Sequence, residues 1–217
     1  MSAPEPLLQI ISECSSAHRR LLDHVAEMDD ADMSRPSLLP AWTVGHVLTH
    51  LARNADAFTG IFRAAAGGGV AEMYAGGSET RAAAIERGAG RPAAEILDDL
   101  RLSTAAYEAA VNEAPAAAWA GHGLNMSGRA IPCLSIPVAR WREVEVHRVD
   151  LGLGYSPEQW PEAFVEAQLA DAVAQLPDRL TRPEDRSTML GWLWGRLPSP
   201  ADIELGPWEA SRRPPDR

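Results

Sequence analysis

From Leu7 onward, apolar residues return at three- and four-residue steps: Leu7, Leu8, Ile10, Ile11, Cys14, Leu21, Leu22, Val25 and Met28. That spacing lays an apolar stripe along one helix face and predicts a first helix over about residues 5–29. The stretch DADMSRPSLLPAW carries two prolines and predicts a loop ending at Thr43, whose hydroxyl can cap the next helix by accepting a backbone hydrogen bond. The second helix follows, with Val47, Leu51, Ala55, Phe58 and Phe62 on one line, and ends at Gly67-Gly68-Gly69. Gly76, Gly77 and Gly88 then predict a looser connection to a third helix near residues 92–114, where Ile96, Leu97, Leu100, Tyr107 and Val111 repeat before Pro115. Residues 116–132, with Gly121, Gly123, Gly128 and Pro132, read as a loop, and a fourth helix runs to about Leu151. Four long helices predict a mainly α fold, a four-helix bundle over residues 1–152. The composition changes after Gly152. YSPEQWP reads as a hinge, PEAFVEAQLADAVAQL and STMLGWLWGRL as two further helices, and GPWEASRRPPDR as an irregular tail, so residues 153–217 form a small C-terminal unit.

Composition narrows the function classes. With 217 residues and 46% hydrophobic content, the chain can bury a substantial core. A formal charge of −10 and no Lys/Arg run longer than two argue against nucleic acid and anionic lipid as partners. No apolar run approaches the roughly 20 residues that cross a bilayer, and MSAPEPLLQIISECSS lacks the basic start and apolar core of a secretion signal. A monomeric cytoplasmic protein is expected. Cys14 and Cys133 are too few for a disulfide scaffold and sit in apolar company, which predicts two buried structural thiols.

The chemistry concentrates in RWREVEVHRVD, residues 140–150. On a helix, Arg140, Glu143, His147 and Asp150 follow at steps of three, four and three, a polar stripe beside the apolar positions of Trp141, Val144 and Leu151. Glu143 and His147 are one turn apart, about 6 Å along the axis, so a carboxylate oxygen and an imidazole nitrogen can converge on one ion. Two donors do not hold zinc, and a third must come from elsewhere. GHVLTH in the second helix offers His46 and His50. His50 lies closer to the core-facing line, His46 closer to the loop, and His50 is preferred. Spacing alone leaves open a weak surface pair of Glu143 with His147. Asp150 fits as a hydrogen-bond acceptor for a ligand imidazole or for Arg140. Arg53 and Asn54 are explained equally well by an ordinary helix surface.

The segments LLPAWTVGHVLTHLARNADAF and WREVEVHRVDLGLGY, with GWLWGR and GPW near the C-terminus, resemble the mycothiol-dependent maleylpyruvate isomerase family, metal enzymes of the DinB-like helical-bundle superfamily. The resemblance covers the first three-quarters of the chain. It implies a divalent metal, zinc or another, held by His50, Glu143 and His147, and substrate-binding arginines at Arg81 and Arg196. It implies mycothiol as a cofactor and a small carboxylate-bearing substrate, with maleylpyruvate converted to fumarylpyruvate by thiolate addition, rotation and elimination. Transfer of mycothiol to another electrophile would use the same site, and a non-catalytic zinc- or ligand-binding bundle would explain the three ligands without the arginines. Cys133 could complete a closed structural zinc site as a fourth ligand. The family's C-terminal part resembles a sterol carrier protein. Here the corresponding stretch, LPDRLTRPEDR, lacks an alternating β-branched run, so that unit is expected to be abridged.

Overall fold

A computed structural model of the chain describes residues 3–198 and 200. It is mainly α. The helices are α1 (Glu5–Val25), α2 (Asp30–Met33), α3 (Val44–Ala66), α4 (Gly77–Ala89), α5 (Ala93–Asn112), α6 (Ala116–Trp119), α7 (Ile136–Asp150), α8 (Glu162–Ala174), α9 (Leu176–Arg179) and α10 (Pro183–Leu193). The chain divides into two compact units, Met1–Phe164 and Val165–Arg217. In the first, α1 packs on α7 and α5, and α3 packs on α5 and α7, which closes a ring of four helices. Leu21, Leu48, Leu51, Ile96, Leu100, Ile136 and Trp141 are buried within it. The second holds most of α8, with α9 and α10, and an Arg182–Asp185 ion pair at the start of α10. GPW and the tail after it lie outside the described residues.

The ends of α3 follow the chemistry read from the sequence. Thr43 Oγ1 accepts from the His46 backbone N–H, while the Thr43 N–H donates to His46 Nδ1, so two of the helix's orphan donors are satisfied reciprocally. The Gly67 N–H closes the other end on Ala64.

Three expectations are corrected. The first helix stops at Val25, because the Asp29 carboxylate caps a separate short helix, α2, by accepting from Ala31 and Asp32. The glycine-bearing stretch before residue 92 is not a loose connection but contains α4. Glycines on both α3 and α4 serve the packing: a Cβ on Gly45 would lie 2.6 Å from the Ala89 carbonyl oxygen, and one on Gly88 2.4 Å from Thr49 Cγ2. α4 therefore docks on α3 at a distance that larger residues would prevent. Residues 116–132 hold α6 and an antiparallel hairpin of β1 (His122–Leu124) and β2 (Ala130–Pro132), in register His122↔Pro132 and Gly123↔Ile131. Asn125 shapes the turn by accepting from the backbone N–H groups of Ser127 and Arg129.

Candidate metal centre

α3 and α7 pack against each other with His50 on one and Glu143 and His147 on the other. The capped start of α3 fixes the helix phase so that His50 is buried and directed at α7. His50 Nε2 lies 3.0 Å from Glu143 Oε2 and 3.1 Å from His147 Nε2, and the latter two atoms are 3.4 Å apart. A tetrahedral ion with donor bonds of about 2.0–2.2 Å separates its donors by roughly 3.3–3.6 Å. The three distances lie at or just inside that spacing, so the heavy atoms of the donor set fit a divalent metal with shifts of a few tenths of an ångström.

Neighbours hold the rings in place. Asp150 Oδ2 accepts from His147 Nδ1 at 2.8 Å, which turns Nε2 toward the cluster. Arg81, on α4, donates to His50 Nδ1 at 3.0 Å. A guanidinium only donates, so the proton of His50 is on Nε2 and faces Glu143. Arg81 also lies over the Tyr74 ring, 5.5 Å from its centre, and has no carboxylate partner among the described residues. Trp42 forms a wall, with its ring centre 5.7 Å from that of His50 and 6.1 Å from that of His46. The loop that carries Trp42 is fastened on both sides. Ser37 N–H donates to Trp42 O, Leu38 N–H donates to Asp150 O at the end of α7, and Ala41 adopts a left-handed φ of 64°.

Burial pushes the His50 ring down to about 4 against the pull of Glu143. Burial also opposes protonation of His147, but hydrogen bonds to Asp150 and Glu143, with their charges, outweigh it and raise the ring to about 9. Glu143 is disfavoured as an anion by burial, yet its two imidazole partners hold it well below the usual carboxylate range. The metal-free cluster thus pairs an imidazolium with a carboxylate and a neutral imidazole. In that state His147 contributes stability that is complete below pH 6.5 and lost as pH rises through about 9. His50 contributes stability that is complete above pH 6.5 and lost as pH falls through about 4. Metal must displace the His147 Nε2 proton, and the His50 proton must move from Nε2 to Nδ1, which breaks the hydrogen bond from Arg81. Apparent zinc affinity should therefore rise by about tenfold per pH unit from near neutrality and level off near pH 9, measured by competition with a chelator. A flat profile would show that His147 does not carry the displaced proton.

Residues 14–152 match the family described as Mycothiol maleylpyruvate isomerase N-terminal domain. The chain belongs to this family. Among solved structures it is similar to the crystal structure of the mycothiol-dependent maleylpyruvate isomerase, at 27% identity and a TM-score of 0.72, covering 76% of this chain and 69% of that one. It is also similar to a histidine-to-alanine mutant of that enzyme, at 26% identity and a TM-score of 0.71 over the same shares. No curated protein matches the chain.

The family match spans His50, Arg81, Glu143 and His147, and the fold gathers all four at one place. Arg196 lies beyond the match, exposed just after α10 in the second unit, where its backbone N–H bonds Gly191 O. His46 faces away from the cluster and meets Glu86 at 3.2 Å. Cys133, buried in a single turn before α7, is not part of the donor group. Cys14 is buried as well, and burial pushes its thiol up to about 12, which makes it inert.

Arg140 continues the stripe on α7 but is wholly buried. It donates to His18 Nε2, to Leu51 O and to Asn54 Oδ1, and Asp150 is taken by His147 instead. Asn54 is therefore no ordinary surface residue. Arg53 pairs with Asp56 and Asp99. Sequence reasoning missed Trp42 and Tyr74. Trp42 stands one residue before the cap Thr43 in LLPAWT, and that position could have flagged it, since the cap fixes where its ring points.

Proposed function

We propose that the chain is a metal-assisted, mycothiol-dependent cis–trans isomerase acting on maleylpyruvate or a similar unsaturated diacid. The observation that carries this reading is the convergence of His50, Glu143 and His147 at 3.0–3.4 Å, with the guanidinium of Arg81, which has no carboxylate partner among the described residues, 3.0 Å from one of them. Three protein donors leave a position for an exogenous ligand, the arrangement of catalytic rather than structural zinc.

A divalent ion bound there lowers the pKa of a coordinated thiol and so supplies a thiolate at neutral pH. Bound mycothiol would supply that thiolate for reversible addition to the substrate alkene, which would permit cis–trans rotation with no net change in atoms or electrons. Arg81 is suited to hold a substrate carboxylate and the growing enolate charge, because a planar guanidinium pairs bidentately with such groups. Asp150 keeps His147 oriented, and Trp42 excludes water from one side of the cluster. Arg196 is assigned to a second carboxylate on the strength of the GWLWGR resemblance.

The test is metal content of the purified protein, then ultraviolet assay of maleylpyruvate with and without mycothiol. Thiol-dependent conversion supports the reading, and thiol-independent turnover or none sinks it. Thiol consumption with no isomer formed would mark a mycothiol S-transferase instead. Arg81→Lys and Arg196→Lys keep the charge but lose the fork. Each should cost about 1.5–3 kcal/mol in kcat/KM, the scale of a charge-assisted hydrogen bond, with metal content unchanged. Undiminished turnover in either variant removes that arginine from the site.

A further inference from the structure

Asn54 lies one turn along α3 from His50, on the same face of the helix, and is buried. Arg140, three residues before Glu143 on α7, donates to Asn54 Oδ1 at 2.8 Å. A guanidinium only donates, so the amide oxygen faces Arg140 and the Nδ2 hydrogens face another way. No described residue accepts from Asn54 Nδ2. A second buried donor stands near it without a partner, the hydroxyl of Tyr74. Burial raises the Tyr74 phenol above its ordinary value, against the pull of Arg81 and Asn54, so the hydroxyl keeps its proton. The backbone beside Tyr74 is fastened to β1: Met73 N–H donates to Leu124 O, and Leu124 N–H donates to Ala71 O. Tyr74 and Arg81 line a cleft of about 300 Å³ on the first unit.

Buried polar groups are as a rule hydrogen-bonded. Two neighbouring donors with no acceptor, one layer from the metal cluster and at the wall of a cleft, fit an oxygen that arrives with a ligand. The charge of Glu143 also bears on Tyr74, which disfavours a full anion at this point and leaves a neutral carbonyl oxygen as the better fit. We propose that Asn54 and Tyr74 donate hydrogen bonds to the ketone oxygen of the substrate, and that Arg140 is the positioning residue that turns the Asn54 amide toward it. The proposal rests on the function given above. As the conjugated alkene is attacked, negative charge grows on that oxygen, and donors fixed beforehand stabilise it more than they stabilise the uncharged ketone. No proton is transferred. Arg81 lies over the Tyr74 ring, so a substrate carboxylate that draws the guanidinium aside uncovers the hydroxyl.

Tyr74→Phe keeps the ring beneath Arg81 and removes only the hydroxyl. Asn54→Asp keeps an acceptor for Arg140 and replaces the donor with an oxygen of the same size. In the isomerase assay with mycothiol, Tyr74→Phe should lower kcat about 100-fold, the scale of one lost donor to a developing oxyanion. KM should change by less than about threefold, because the ground-state ketone gains little from the donor. Asn54→Asp should lose at least as much kcat, and both variants should keep their metal content and helicity. A kcat close to that of the parent chain in either variant, or a loss confined to KM, overturns the proposal. If the parent chain does not isomerise maleylpyruvate, the functional reading has failed, and calorimetric titration decides the donor pair separately. Oxaloacetate and succinate are diacids with and without a ketone. The parent chain should bind oxaloacetate at least about tenfold more tightly, the scale of a well-placed hydrogen bond, and Tyr74→Phe should lose that preference. No preference in the parent chain, or an undiminished one in Tyr74→Phe, overturns the assignment.

Discussion

His50→Ala removes stoichiometric divalent metal from the purified protein and leaves the helices folded. Of the three donors, His50 alone comes from α3, and the pair that remains, Glu143 and His147 on one turn of α7, does not hold zinc by itself. The loss of affinity should exceed the 10–100-fold that accompanies removal of a merely supporting residue. Helicity should persist because the core of the first unit is apolar and closes around Leu48, Leu51, Ile96 and Leu100 without the cluster. Elemental analysis with circular dichroism on the same sample reads both quantities. Metal retained at full stoichiometry would show that the third donor is another residue, and His46 would be the next to replace.

Arg140→Ala should be the most destabilising single change, at about 3–5 kcal/mol, the range seen when one member of a buried charged network is removed. The side chain is fully buried and joins three helices: it donates to His18 on α1 and to Leu51 and Asn54 on α3 from its place on α7. Without it, the Leu51 carbonyl, the Asn54 amide oxygen and His18 Nε2 are left in the core without their donor, and the vacated volume adds a cavity. His18 is held neutral for this role. Burial pushes its ring down to about 4, its Nδ1–H is committed to Glu108, and its Nε2 accepts from Arg140. Chemical denaturation measures the loss. A change below about 1 kcal/mol would mean that water takes over the hydrogen bonds of Arg140.

The candidate donor cluster and the fold were legible in the sequence for the same reason: both rest on helical periodicity. The i,i+4 spacing of Glu143 and His147 and the position of His50 on the core-facing line of α3 are local facts, and the bundle needed only that these two helices meet. Arg140 was legible as a member of the stripe but not as a buried one. Its burial depends on His18 and Glu108, which are far away in sequence, to complete a network that periodicity does not display. α4 was hidden by its glycines. Gly88 reads locally as a helix breaker, and only the packing of Thr49, whose Cγ2 would lie 2.4 Å from any Cβ at that position, explains why a helix needs it there. The hairpin at 122–132 is too short for an alternating pattern to stand out, and the contact of Arg81 with His50 depends on the docking of α4, which the sequence did not announce.

The left-handed backbone of Ala41 bears on how the protein trades rigidity against stability. An alanine held there costs roughly 1–2 kcal/mol relative to an ordinary conformation, and a glycine would be nearly free of that penalty. Yet a glycine would also loosen the peptide that precedes Trp42, whose ring walls the cluster beside His50. The chain thus stands slightly below the stability its own fold permits, and the shortfall is concentrated at one residue next to its chemistry. Substitutions chosen for thermal tolerance alone would tend to fall at that residue first, and they would exchange a fixed aromatic wall for a mobile one.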